Sequence, residues 1–260
     1  MSLIPVGELS FVSGWPIHGP LRRGLPGSEM LDITVGRPGE LDDAVVAGRL
    51  AAAPVSSLEY LRRSEHYTLI PGLSISAWGR LGSATLFSDV PFSQLDGATV
   101  AVPPFGATSN ALLSWLLQEM FGVRANFVEA EAPVTELLGS FPAALLIGDE
   151  AIQSHRLELG AHRIDLGQSW WQITHTPLVT TVWVVAPGQP DDVVAFLIDL
   201  LGRAKTLGQE LLSEFAAEAA EKLKMPSTEM EGYFSLLNFD FSSVHQQGLH
   251  RLKEALFFES

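Results

Sequence analysis

The chain has 260 residues, 47% of them hydrophobic, and a formal net charge of −14 from 30 acidic and 16 basic side chains. This supplies core for one large domain or two small ones, and the acidic balance argues against a nucleic-acid partner, which needs a basic stripe to displace counterions. No apolar run of about 18 residues predicts a membrane span, the N-terminal "MSLIPVGELSFVSGWPIH" lacks the basic and apolar regions of a secretory signal, and the absence of cysteine removes disulfides and thiol catalysis.

In chain order, "EMLDITVG" (29–36) reads as a strand and "PGELDDAVVAG" (38–48) as a helix that starts at Pro38-Gly39, with Leu41, Ala44 and Val45 on one face. "LAAAPVSS" (50–57) is a strand ending in serines, followed by a short helix, "LEYLRRS". "YTLIPG", "LSISAWG" and "SATLFSD" are short strands separated by glycine and proline. "LDGATVAVPP" (95–104) supplies a turn and a strand over Thr99–Val102. The helix after it carries Leu112, Leu113, Leu116, Leu117 and Met120 on one face and stops at Gly122. "ANFVEA" is a strand, "APVTELLGSF" a helix, "AALLIGDEA" (143–151) a strand with an acidic turn, and "HRIDLG" and "PLVTTVWVVAP" (177–187) further strands. From Pro190 onward the chain reads as helical: one long or broken helix, then two more. No internal repeat is visible.

Alternating strands and helices predict α/β architecture with largely parallel sheets, in which ligands sit at the carboxyl ends of strands. The polar clusters fall at such ends. Thr108-Ser109-Asn110, behind Gly106, reads either as a helix N-cap or as an anion site of hydroxyls and helix N–H groups. Ser56-Ser57-Leu58-Glu59 fits a capping box, which accounts for Ser56 and leaves Ser57 unexplained. Asp149-Glu150 is either a cap with a first-turn acid or an acid–base pair at a site mouth. Among the histidines only His18 and His175, beside prolines, are retained as candidates; no zinc spacing, phosphate loop, dinucleotide fingerprint or serine-hydrolase elbow occurs. Neither a metal nor a nucleotide cofactor is therefore expected.

Several blocks, in order, resemble the chorismate dehydratase family of menaquinone biosynthesis by the futalosine route. "VSSLEYLRRSEHYTLIPGLSISAWGRLGSATLFS" (55–88) is similar to that family's Val-Ser-Ser-Ile-Glu-Tyr, Pro-x-Leu-x-Ile-Ser and Ser-Val-x-Leu-Phe-Ser blocks. "LDGATVAVPPFGATSNALLSWLL" resembles its Leu-Asp-Gly-Lys-Thr-Val-Ala and Ala-Thr-Ser blocks, and "AALLIGDEAI", "DLGQSWWQITHTPLVTTVWVV" and "GLHRLKEAL" match further ones. One departure stands out: "LSFVSGWPI" (9–17) places Ser13 where the family usually carries Asn.

The resemblance implies a two-lobed fold like type II periplasmic solute-binding proteins, with a ligand cleft between lobes. One lobe would comprise 1–90 and 178–260, the other 91–177. It implies a cytoplasmic enzyme that dehydrates chorismate, a small dianionic substrate, without a cofactor. Ser83 and Ser13 would then be catalytic, and Ser56, Ser57, Thr108, Ser109 and Asp149 would bind substrate, with Ser56 and Ser83 in the first lobe and Thr108 and Ser109 in the second. The alternatives are a non-catalytic solute-binding protein and the sister enzyme acting on cyclic dehypoxanthinyl futalosine. Oligomeric state has no signal in the sequence.

Overall fold

The computed structural model describes residues 3–257. In chain order its elements are β1 (Ile4–Leu9), α1 (Trp15–Arg22), β2 (Leu31–Gly36), α2 (Pro38–Val46), β3 (Ala52–Ser56), α3 (Ser57–Arg63), β4 (Thr68–Ala77) and β5 (Ala84–Ser88). There follow β6 (Thr99–Val102), α4 (Ala107–Phe121), β7 (Asn126–Glu129), α5 (Val134–Ser140), β8 (Ala143–Ile147), α6 (Asp149–Ser154), β9 (His162–Asp165) and α7 (Leu166–Thr174). The last are β10 (Leu178–Val185), α8 (Asp191–Glu210), α9 (Leu212–Leu223), α10 (Ser227–Leu236), β11 (Leu237–Asn238) and α11 (Ser243–Phe257).

The chain divides into two compact units. The first runs to Ser76 and takes up Val179–Ser243; the second holds Ala77–Leu178 and the chain from Val244 onward. Unit 1 contains a sheet of order β11-β4-β10-β3-β1-β2, with β1 parallel to β2 and β3, and β10 antiparallel to β3. Unit 2 contains a sheet of order β7-β6-β8-β5-β9, with β6 parallel to β7 and β8, and β5 antiparallel to β8 and β9. The expected separation of strands is present: β6 and β8 share one sheet, β2 and β3 the other.

The division of the chain differs from the expected one in two places. The boundary expected near residue 90 falls between Ser76 and Ala77. The reason is pairing: β5 aligns with β8 from Ala84↔Ile147 to Ser88↔Ala143, which commits "SATLFS" to unit 2. Ser83 therefore belongs with Thr108 and Ser109, and not with Ser56. The terminal helix α11 also belongs almost wholly to unit 2. There Gly248 lets it close on the residue before β10, since a Cβ at that position would stand 2.2 Å from Pro177 O.

Helix α1 is not evident in the sequence, because "WPIHGPLR" contains two prolines and a glycine. Pro16 occupies the first turn, where no N–H is needed, and Pro20 is carried inside the helix. Burial compensates for the poor propensity: Ile17, His18, Gly19 and Leu21 are all inside. The long helical stretch from Asp191 is broken at Leu211 into α8 and α9. Pro71-Gly72, which reads as a break, is carried within β4, with Gly72 at φ 68.

Helix α1 lies so close on α8 that a Cβ at Gly208 would be 1.4 Å from Pro16 O. Backbone cannot yield as a side chain can, so Gly208→Ala should destabilise unit 1 by about 3 kcal/mol or more. Urea unfolding followed by circular dichroism measures this; an unchanged midpoint would contradict the packing.

Candidate active site

Unit 2 holds the loop that joins β4 to β5, residues 78–83, by both sides of its backbone. Asp165, the N-cap of α7, accepts the N–H groups of Leu81 (2.9 Å), Gly82 (2.7 Å) and Gln168 (2.9 Å). His155 Nε2 lies 3.0 Å from Gly82 O. A carbonyl only accepts, so this ring nitrogen carries the proton. Burial, and then the charge of Arg80, lower the His155 pKa and keep the imidazole neutral at physiological pH. Gly79 (φ 97) and Gly82 (φ 77) provide the left-handed conformations the turn requires. Gly167 completes the fit, since a Cβ there would be 2.6 Å from Gly79 O. Asp165, His155 and Gly167 were not singled out from the sequence. The available signal was the "DLG" that ends one strand and opens a helix, the pattern of an N-cap acid.

Ser83 closes this loop. It is half-buried, and its carbonyl accepts the Gly148 N–H at 2.8 Å. Gly148 (φ 68) turns the chain from β8 into α6 and sets Asp149 at the first position of that helix, so Gly148 and not Asp149 is the cap. At the same strand end stands the start of α4, where Gly106 is the N-cap and no side chain caps the helix. The capping reading of Thr108, Ser109 and Asn110 is thus excluded. Thr108 is buried and Ser109 half-buried, both in the first turn, while Asn110 Nδ2 turns back to Pro103 O (2.9 Å). A Cβ on Gly106 would be 3.0 Å from Ile147 Cδ1. Ile147 therefore lies between the two groups: its strand partner is Ala84, beside Ser83, and its side chain meets the Gly106 turn. The structure thus brings Ser83, Thr108, Ser109 and Asp149 to one end of one sheet.

The unit 1 candidates are placed differently. Ser13 is buried on the short helical turn Val12–Gly14 between β1 and α1. Ser56 caps α3, accepting the Glu59 N–H (3.2 Å) and donating its hydroxyl to Asp42 Oδ2 (2.6 Å). The reciprocal half of the capping box is absent. The Ser56 N–H goes to Asp42 Oδ1 (2.9 Å), and Glu59 instead pairs with Arg63 and accepts from Tyr67 (2.7 Å). Ser57 is fully buried and donates to Val179 O (2.7 Å). For either hydroxyl to donate to an anionic ligand, its existing donated bond would have to break, at a cost of about 1–3 kcal/mol. Of the two histidines kept from the sequence, His175 is exposed at the left-handed C-cap of α7. His18 is fully buried against Trp183, with ring centroids 5.7 Å apart; burial lowers its pKa to about 3.

Two α/β units, each with its own sheet, joined by three chain crossings give a fold of the periplasmic-binding-protein type. Solved structures agree: a protein of Archaeoglobus fulgidus, AF1704, superposes with TM-score 0.79 at 16% identity over 97% of this chain and 96% of that one. The periplasmic aliphatic sulphonate binding protein SsuA of Escherichia coli does so with TM-score 0.64 at 10% identity over 98% of this chain and 86% of that one. The chain belongs to the menaquinone biosynthesis family, whose pattern matches residues 4–257. It is 30% identical to the chorismate dehydratase of Thermus thermophilus over 93% of this chain and 90% of that protein.

Burial raises the Asp42 pKa from 3.8 to about 6, the Ser56 bonds only partly opposing it. Between these values the folded state binds more protons than the unfolded one, so Asp42 adds stability as pH falls. His18 acts oppositely: lowered from 6.5 to about 3, it costs stability as pH falls below 6.5. Asp42→Asn should remove the first effect. Relative to the wild type, the variant should then lose about 1.4 kcal/mol per pH unit as pH falls from about 6 to about 4. Parallel pH dependences in urea melts would contradict the buried carboxylate.

Proposed function

We propose that this protein is a chorismate dehydratase acting in menaquinone biosynthesis, a lyase that converts chorismate to 3-[(1-carboxyvinyl)oxy]benzoate and water. The observation that carries the reading is the family match across residues 4–257, joined to 30% identity with a chorismate dehydratase over 93% of the chain. The likeness to sulphonate-binding proteins, at 10% identity, bears on the fold alone and does not favour a transport role. On this reading the enzyme works in the cytoplasm on a small dianion.

The chemistry needs little machinery. The C3 proton of chorismate is acidified through the ring diene and its carboxylate. Its removal leaves an electron pair that forms the C3–C4 double bond as the C4–O bond breaks. The base returns the proton it took from C3 to the departing C4 hydroxyl, which leaves as water, and the ring becomes aromatic. The enzyme has to hold the dianion, stabilise the charge that develops and exclude competing geometries. The substrate's own enolpyruvyl carboxylate, folded over the ring, is the base we assign.

In this scheme the unit 2 set does the binding. The first turn of α4, with Thr108 and Ser109, takes a carboxylate at the positive end of the helix dipole, against the net charge of −14. Ser83 donates a hydrogen bond as charge develops, and Asp149 accepts from the C4 hydroxyl, the one neutral donor the substrate presents. Ser13, in unit 1, is kept as a catalytic candidate only by its alignment with the family's Asn. A serine hydroxyl replaces only part of what that amide offers.

The test is incubation of purified protein with chorismate, following the aromatic product by absorbance and mass. Turnover is expected, and Ser83→Ala should lower kcat/KM by roughly ten- to a hundredfold, the worth of one hydrogen bond to a charged group. No product from the wild type would sink the reading, and an unchanged Ser83→Ala rate would remove Ser83 from it.

A further inference from the structure

The loop that ends at Ser83 begins with two side chains that the scheme above does not use. Trp78 is 47% exposed. An isolated exposed tryptophan needs no explanation, but this one is held. Trp171 of α7 meets it edge-on at 5.7 Å between ring centroids, and His245 of α11 does so at 5.9 Å. Two residues further on, Arg80 is exposed and forms no ion pair among the described residues. Arg49 and Arg62 are likewise exposed without an ion pair; what sets Arg80 apart is its place on the loop that ends at Ser83. Between and after them the backbone is fixed by Asp165, His155 and Gly167, as described above. A clamped backbone loses little entropy when its side chains engage a ligand.

From this juxtaposition we infer that Trp78 and Arg80 form a recognition element for an aromatic or diene carboxylate, the indole taking the ring and the guanidinium the ring carboxylate. The inference rests on the dehydratase reading and deepens it. A carboxylate matches the planar guanidinium fork with two parallel hydrogen bonds. A flat π-face matches the indole, and matches it better as the diene becomes a benzene ring. Both interactions strengthen along the reaction: electron density moves into the ring carboxylate when C3 loses its proton, and the ring flattens as water leaves. Contacts that grow toward the transition state raise the rate as well as the affinity. Ser83, next along the same loop, then faces the reacting side of a ring already placed by its neighbours.

The probes are benzoate and cyclohexanecarboxylate, which share charge and size and differ in the aromatic face, titrated calorimetrically into the full-length protein. The wild type should bind benzoate the tighter by up to about tenfold. Trp78→Ala should erase that preference and Trp78→Phe, which keeps a π-face, should retain it. Arg80→Gln should weaken both ligands by roughly ten- to a hundredfold while leaving their ratio unchanged. A preference that survives Trp78→Ala, or is lost equally in Trp78→Phe, overturns the inference. So does an Arg80→Gln variant that binds both as the wild type does, or a wild type that binds neither. Chorismate turnover by the same preparations separates the two readings. The binding pattern without turnover overturns the dehydratase assignment and leaves the carboxylate site standing; turnover without the pattern does the reverse.

Discussion

One carboxylate organises the end of unit 2 where the candidate site residues gather. Asp165 ends β9, caps α7 and accepts the N–H groups of Leu81 and Gly82 from a loop more than eighty positions earlier in the chain. An ionised acceptor bonded to several backbone donors is among the stronger polar arrangements a protein makes. Here it joins a helix start to a turn that two glycines in left-handed conformation would otherwise leave free to move. Everything assigned to that loop, from Trp78 to Ser83, depends on this bond set. His155 and the absent side chain of Gly167 add to it from the other side.

Much of the architecture was legible because it follows from periodicity. The β-branched runs of β6 and β10, the apolar run of β8, the apolar face of α4 and the acidic start of α8 are visible by inspection. The missed parts have local causes. Helix α1 violates propensity and is rescued by burial, which no local pattern reports. The boundary between units was misplaced because it depends on which strand β5 pairs with, and pairing is a long-range choice between similar apolar strands.

The placement of the candidate residues was legible in part for the same reason. The prominence of Ser83, Thr108, Ser109 and Asp149 came from strand-end positions and family blocks, and they do gather at one sheet end. Asp165 and His155 act on backbone groups far away in sequence, so spacing gave no sign of them. Ser56 and Ser57 show the converse. Their position at a strand end is that of a ligand contact, yet Asp42 and Val179 take up their hydroxyls inside unit 1. On the dehydratase reading the substrate supplies the base and the protein supplies placement. Placement requires rigid backbone, which is what the Asp165 bonds provide.

Backbone hydrogen exchange, read residue by residue or on short peptides, tests this account most directly. It compares the protein alone with the protein saturated by the aromatic product of its own reaction. The account predicts that segment 78–83 and the first turn of α4 become at least about tenfold better protected when product is bound, the signature of contact with a loop already ordered. Protection confined to other segments, with 78–83 and the α4 start exchanging as before, would contradict it.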